Sequence, residues 1–121
     1  MPSSTDELTV TRNDAEGRYE IRVGDVLAGF TEFEVDSRGR LILPHTEIDP
    51  AFKGKGLATA LVGAALEDIV ARGETIVPLC PFVRRYLREN DVPGLTIEGS
   101  FAAERAASRA PQESGSGGGG V

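Results

Sequence analysis

The segment Asp49-Pro50-Ala51-Phe52-Lys53-Gly54-Lys55-Gly56-Leu57-Ala58 sets two glycines and two lysines directly before a stretch of helical periodicity. Glycines let backbone amides turn outward and let an anion approach closely. The unpaired N–H groups and positive dipole end of the following helix then face that anion. Lys53 and Lys55 add mobile positive charge to an otherwise acidic chain. The pattern suits a pyrophosphate, with Lys53, Gly54, Lys55, Gly56, Leu57 and Ala58 as candidate contacts. Two well-known phosphate loops do not fit it. A Walker loop needs a glycine where this chain has Asp49, and a dinucleotide fingerprint needs Gly or Ala where it has Thr59.

Three other residues have types suited to catalysis. Cys80 stands directly before Pro81, the expected start of a helix, so its thiol meets the positive end of that helix's dipole, which favours thiolate. Arg84 and Arg85, one turn on, would reinforce this if they pointed back. His45 lies in the strand that leads to the glycine loop, and parallel pairing would bring it and Cys80 near one ligand. Glu47 shares the strand face of His45 by alternation and is a substitute base. A nucleophilic thiol and a general base are the chemistry these residues offer. The plainer readings are a packed cysteine, a structural histidine and a solvated glutamate. One His and one Cys do not make a structural zinc site, so no metal is expected.

These residues need a scaffold, and the periodicity describes one. Leu8 to Thr11, Tyr19 to Val23 and Val26 to Val35 alternate apolar and polar side chains, as half-buried strands do. Short turns at Asn13–Gly17, Gly24-Asp25 and Asp36–Gly39 make them antiparallel neighbours. Leu41 to Ile48 is a fourth, more central strand. Leu57 to Arg72 is an amphipathic helix with Ala58, Val62, Ala65, Leu66 and Ile69 on its apolar face, Thr59, Gly63 and Glu67 on its polar stripe, and Gly73 as its stop. Glu74 to Leu79 is a fifth strand, and Pro81 to Glu89 a second helix with Phe82, Tyr86 and Leu87 as packing residues. Strand, helix, strand is a βαβ crossover, so strands four and five run parallel. Pro44 and Pro78 each lack an N–H and favour a gap between those two strands. The fold class is mixed α/β: an antiparallel meander feeding one parallel crossover.

Composition sets the outer limits. At 121 residues the chain is one domain. Its net charge is -6, and 11 of the 19 acidic residues precede Pro50, against 5 of the 13 basic ones. That balance argues against a nucleic-acid module. A lone cysteine excludes an intrachain disulfide and fits a reducing, cytoplasmic setting. The polar start, Met1 to Leu8, is not expected to act as a signal peptide, and no apolar run approaches the roughly 18 to 20 residues of a membrane helix. Residues 1–99 are expected to fold. Residues 100–121, rich in Ala, Ser and Gly, read as a flexible tail with at most a short frayed helix over Phe101 to Arg109.

Lys53-x-x-Gly56-x-Ala58 is similar to the (Arg/Gln)-x-x-Gly-x-(Gly/Ala) acyl-CoA loop of the GNAT acetyltransferase superfamily. The wider strings His45-Thr46-Glu47-Ile48 and Pro78-Leu79-Cys80-Pro81-Phe82-Val83 resemble its small stand-alone YjdJ-type branch. The resemblance implies an acyl-CoA N-acyltransferase fold whose loop amides hold the CoA pyrophosphate. It implies that pantetheine runs between splayed parallel strands. It also implies acetyl-CoA as donor, an amine as acceptor, and Cys80 and His45 as active-site residues. Transfer then goes by direct attack of an amine deprotonated by His45, or through a Cys80 acyl-enzyme. Lys53 departs from the usual Arg or Gln. The five-residue turn Asn13–Gly17 replaces two helices that shape the acceptor site in larger members. A monomer or weak dimer is expected. The alternatives are a CoA-binding module without turnover and an acidic domain that docks a basic partner.

Overall fold

The computed structural model describes residues 7–115. Three antiparallel strands come first: β1 (Leu8–Asn13), β2 (Arg18–Val23) and β3 (Val26–Glu32). The chain then continues through β4 (Glu34–Val35), β5 (Leu41–Leu43), β6 (Thr46–Ile48) and a 3-10 turn at Pro50–Phe52. Helix α1 (Leu57–Arg72) leads to β7 (Thr75–Pro78), α2 (Pro81–Glu89), β8 (Thr96–Ile97) and α3 (Ser100–Gly115).

The strands form two sheets. One has the order β1-β2-β3-β6 and is antiparallel throughout. The other has the order β4-β5-β7-β8, with β5, β7 and β8 parallel. The antiparallel meander and the parallel crossover are therefore both present. Two expected strands are each divided between the sheets. Val26–Val35 breaks at Phe33, which is buried and stacks against Tyr19 while its N–H donates to the Gly17 carbonyl at 2.8 Å. Leu41–Ile48 breaks at Pro44-His45: Leu41 to Leu43 pair with β7, and Thr46 to Ile48 pair with β3. An alternating pattern runs through such a break unchanged, because switching partners keeps the pleat. Pro44 sits where ladder pairing is lost, as its missing N–H requires.

Helix α1 has the expected limits. Gly73 adopts a left-handed conformation, φ 71°, and its N–H closes on the Ile69 and Val70 carbonyls, ending the helix. The α1 face of Leu57, Leu61, Val62, Ala65, Leu66 and Ile69 is buried with Tyr19, Ile21, Leu41, Ile76, Val83 and Leu87 in one core. Each large aliphatic chain buried this way contributes about 1.5–3 kcal/mol. Ala58 lies at the edge of this face. Gly63 is not simply part of a polar stripe: a Cβ there would lie 2.8 Å from the Tyr86 hydroxyl, so the glycine lets α2 lean on α1.

A polar chain ties the first sheet to α1. Tyr19 donates to Asp68 at 2.6 Å, and Arg12 reaches Tyr19 and, with two nitrogens, Glu74. Burial, with the bond to Asp68, raises the Tyr19 pKa, and the Tyr19 hydrogen bond lowers that of Asp68.

The expected flexible tail from residue 100 is corrected. Ser100–Gly115 is helical, and Phe101 is buried in the core with the guanidinium groups of Arg84, Arg88 and Arg105 5.4–5.8 Å from its ring centroid. One aromatic anchor outweighs the small, polar composition around it. The rest of the expected tail, 116–121, and the first six residues lie outside the described residues.

Candidate active site

Gly54 and Gly56 have φ of 81° and 74°, left-handed values that other residues adopt only at a cost. A Cβ at either would meet nothing within 4 Å, so both point into open space. Gly56 is the N-cap of α1 and brings no side-chain capping bond, and the first turn has no acidic residue. The first intrahelical bond in this turn runs from Ala60 N–H to the Gly56 carbonyl. The N–H groups of Leu57, Ala58 and Thr59 precede it and have no carbonyl of the helix to bond, which is the physical basis of an anion site. Lys53 and Lys55 flank the turn and are exposed, while the Leu57 side chain is buried, leaving only its backbone to offer.

These amides open onto a groove of about 360 Å³. Its walls are mostly apolar, from Ile48, Phe52, Leu57, Ala58 and Phe82, with Thr46, Lys53 and Thr59 as polar members. Phe82 is thus a half-buried groove residue rather than plain core. Thr46, Ile48, Phe52 and Phe82 were missed as site residues. A signal existed for two of them: if His45 and Glu47 share one strand face, Thr46 and Ile48 share the other. A larger open groove of about 520 Å³ lies between the end of α2 and α3, but it is lined by both signs of charge, from Arg88, Glu89, Asp91, Glu104 and Arg105, and by none of the residues above. Chemistry, rather than size, selects the smaller one.

Cys80 is the N-cap of α2 and is 3% exposed. Its amide and that of Leu79 both donate to the Leu43 carbonyl, backbone hydrogen bonds made just before β6 departs toward β3. The thiol donates to the Thr46 hydroxyl at 3.4 Å. Thr46 and the buried Thr31 share a hydrogen bond of 2.8 Å, and Thr31 makes a longer one, 3.5 Å, to the His45 carbonyl. Thr46 is therefore the residue that touches both Cys80 and the groove. Arg84 and Arg85 do not reinforce the thiol: Arg84 donates to the Pro78 carbonyl and to Ser100, and Arg85 pairs with Glu89.

His45 and Glu47 are exposed and joined, Nε2 to Oε1, at 3.0 Å. Glu47 pairs across the sheet with Phe30, and the His45 ring stands edge-on to Phe30 at 6.3 Å. Thr46 pairs with Thr31, on the opposite face. The expected meeting of His45 and Cys80 is therefore corrected. Among the described residues no hydrogen bond joins them, because strand alternation turns one face of β6 to Thr46 and the groove and the other to His45 and Glu47.

Comparison with known proteins agrees with this architecture. Residues 18–92 match the family model described as GCN5-related N-acetyl-transferase. Protein NATD1 of Xenopus tropicalis is 31% identical over 61 residues, covering 50% of this chain and 56% of that protein. Protein NATD1 of Mus musculus and of Homo sapiens are each 35% identical over 51 residues, covering 42% of this chain and 46% and 45% of theirs. The chain spans about half the length of the curated relatives it matches. With the matched region running from β2 past α2, and so containing the glycine loop, α1 and Cys80, this chain belongs to the GCN5-related N-acetyltransferase family.

Proposed function

We propose that this protein binds acetyl-CoA in the groove at the start of α1 and transfers the acetyl group to an amine, as a cytoplasmic monomer or weak dimer of the YjdJ-type branch. The observation that carries the reading is the α1 N-terminus: Gly54 and Gly56 in left-handed conformations, three helix N–H groups without an intrahelical acceptor, and Lys53 at the rim of an apolar groove. A pyrophosphate suits the amides, and an uncharged pantetheine arm suits the apolar walls. The gap between β6 and β7 supports the same path.

Two routes to the acceptor fit the site. In one, Cys80 takes the acetyl group and passes it on. In the other, His45, held by Glu47, deprotonates an amine that attacks the thioester directly, which requires the amine to approach around β6, because His45 lies on the strand face away from the groove. Intact mass after incubation with acetyl-CoA separates them: a gain of one acetyl group, absent in Cys80→Ala, marks the covalent route. Acetyl-CoA that leaves the melting temperature unchanged rejects the donor assignment.

A second reading rests on the burial of Cys80 and its separation from His45, which suit a CoA-binding module without turnover. It predicts a thermal shift with acetyl-CoA and no free CoA released across a broad amine panel. An acidic docking domain predicts no thermal shift and salt-sensitive capture of a basic protein.

A further inference from the structure

We propose that Thr46, backed by Thr31, is the positioning residue for the Cys80 thiol and the group that lets this buried sulfur carry charge. The proposal rests on the acetyl-CoA reading above and assigns its covalent route. It starts from the hydrogens available. A threonine hydroxyl and a thiol have one each. With the sulfur protonated, they run in one direction: Cys80 S–H to Thr46 Oγ1, Thr46 O–H to Thr31 Oγ1, and Thr31 O–H to the His45 carbonyl.

A thiolate has no hydrogen to give and must receive one, because a buried charge without a donor is costly. Thr46 is the side-chain hydroxyl that already lies at hydrogen-bond distance from Cys80 Sγ. The chain then reverses: Thr46 O–H donates to the sulfur, and Thr31 O–H donates to Thr46 Oγ1. The contact given up is the long one, 3.5 Å, to a carbonyl that still accepts the Glu32 N–H at 2.8 Å. No heavy atom moves. A valine at either position keeps the shape but can neither accept nor donate.

The covalent step balances on these groups. The Cys80 thiolate attacks the acetyl carbonyl carbon, forming a new S–C bond as the C–S bond to CoA breaks, and CoA leaves with the proton that Cys80 gave up. An amine then attacks the Cys80 thioester, forming N–C and breaking S–C, and its proton returns to the sulfur. Thr46 faces Cys80 through both steps and lines the groove through which the donor enters.

The test is the rate of Cys80 acetylation by acetyl-CoA, followed by intact mass in wild type, Thr46→Val, Thr46→Ser and Thr31→Val, alongside the acetyl-CoA thermal shift of each. Thr46→Val should slow acetylation about ten- to hundredfold, the effect of one hydrogen bond to a charged group. Because Thr46 also lines the groove, each rate is read at saturating acetyl-CoA, and any change in the thermal shift reports donor binding separately. Thr46→Ser should recover most of the rate, and Thr31→Val, which breaks the second link, should fall between. Should Thr46→Val fail to fold, the Thr31→Val rate decides. Thr46→Val acetylating as fast as wild type overturns the assignment alone. A wild type that binds acetyl-CoA without gaining mass overturns it together with the covalent route. A wild type that shows no thermal shift overturns the donor reading itself.

Discussion

Gly29 on β3 and Ile48 on β6 are packed so closely that a Cβ on the glycine would lie 2.5 Å from Ile48 Cδ1 and 2.6 Å from the Glu47 carbonyl oxygen. The two residues are cross-strand partners, and Ile48 also lines the groove. Gly29→Ala should therefore cost about 1–3 kcal/mol by overpacking. For a domain of this size the melting temperature falls about 4 °C per kcal/mol. The same change should weaken the acetyl-CoA thermal shift, because β6 must move. A variant as stable as wild type would mean that β6 yields freely.

Gly56 behaves differently. A Cβ there would meet nothing within 4 Å, so the main stability cost of Gly56→Val is its left-handed backbone, roughly 1–2 kcal/mol. In the proposed complex that open space belongs to the donor. Binding should thus drop by at least about tenfold, more than the stability loss explains. Isothermal titration beside a denaturant melt reads both quantities, and unchanged affinity would remove the loop from the donor site.

His45→Ala separates the two routes by location. Its side chain is exposed, on the strand face away from the groove, so acetyl-CoA affinity should be unchanged. If it serves as general base, kcat should fall about 10²-fold with one acceptor amine. Glu47→Gln, which keeps the shape but removes the charge beside Nε2, should cost less than His45→Ala. Steady-state kinetics with a kcat and KM split decides, and an unchanged kcat leaves His45 without a part in the chemistry.

Glu20 makes the first sheet acid-sensitive. It is buried, and the hydrogen bond from Arg18, then those from Arg22 and Asn13, lower its pKa against the opposing effect of burial. A carboxylate lowered in the folded state contributes stability that is fully present above its unfolded value, about 4.3. That contribution is lost as the pH falls through the folded value. Glu20→Gln should be less stable at neutral pH and lose less on acidification. Urea midpoints measured down to roughly pH 3 read the difference; parallel curves would show that Glu20 contributes nothing to the acid limb.

Local signals were legible wherever one element carries its own information. Gly56 and Gly73 bracket α1, Pro81 opens α2, and the crossover requires parallel strands. What depends on partners was not. The alternation of Val26–Val35 and Leu41–Ile48 does not say that each changes sheet midway, at Phe33 and at Pro44-His45. The side of β6 that His45 shares with Glu47 follows from period 2. The side that Cys80 meets depends on how β7 ends, and no spacing encodes that. Strand β8, two residues long, and the helix anchored by Phe101 have too little local pattern to stand out.

The change of partner after Leu43 has a consequence for entry. Past that residue β6 is already committed to β3, and the Leu79 and Cys80 amides are both satisfied by the Leu43 carbonyl. The parting of β6 from β7 is thus built into the resting fold, bridged there by the contact of the Cys80 thiol with Thr46. A molecule entering between them breaks no ladder hydrogen bond, only the contact of the Cys80 thiol with Thr46, so its arrival should need side-chain adjustment and not the peeling away of a strand.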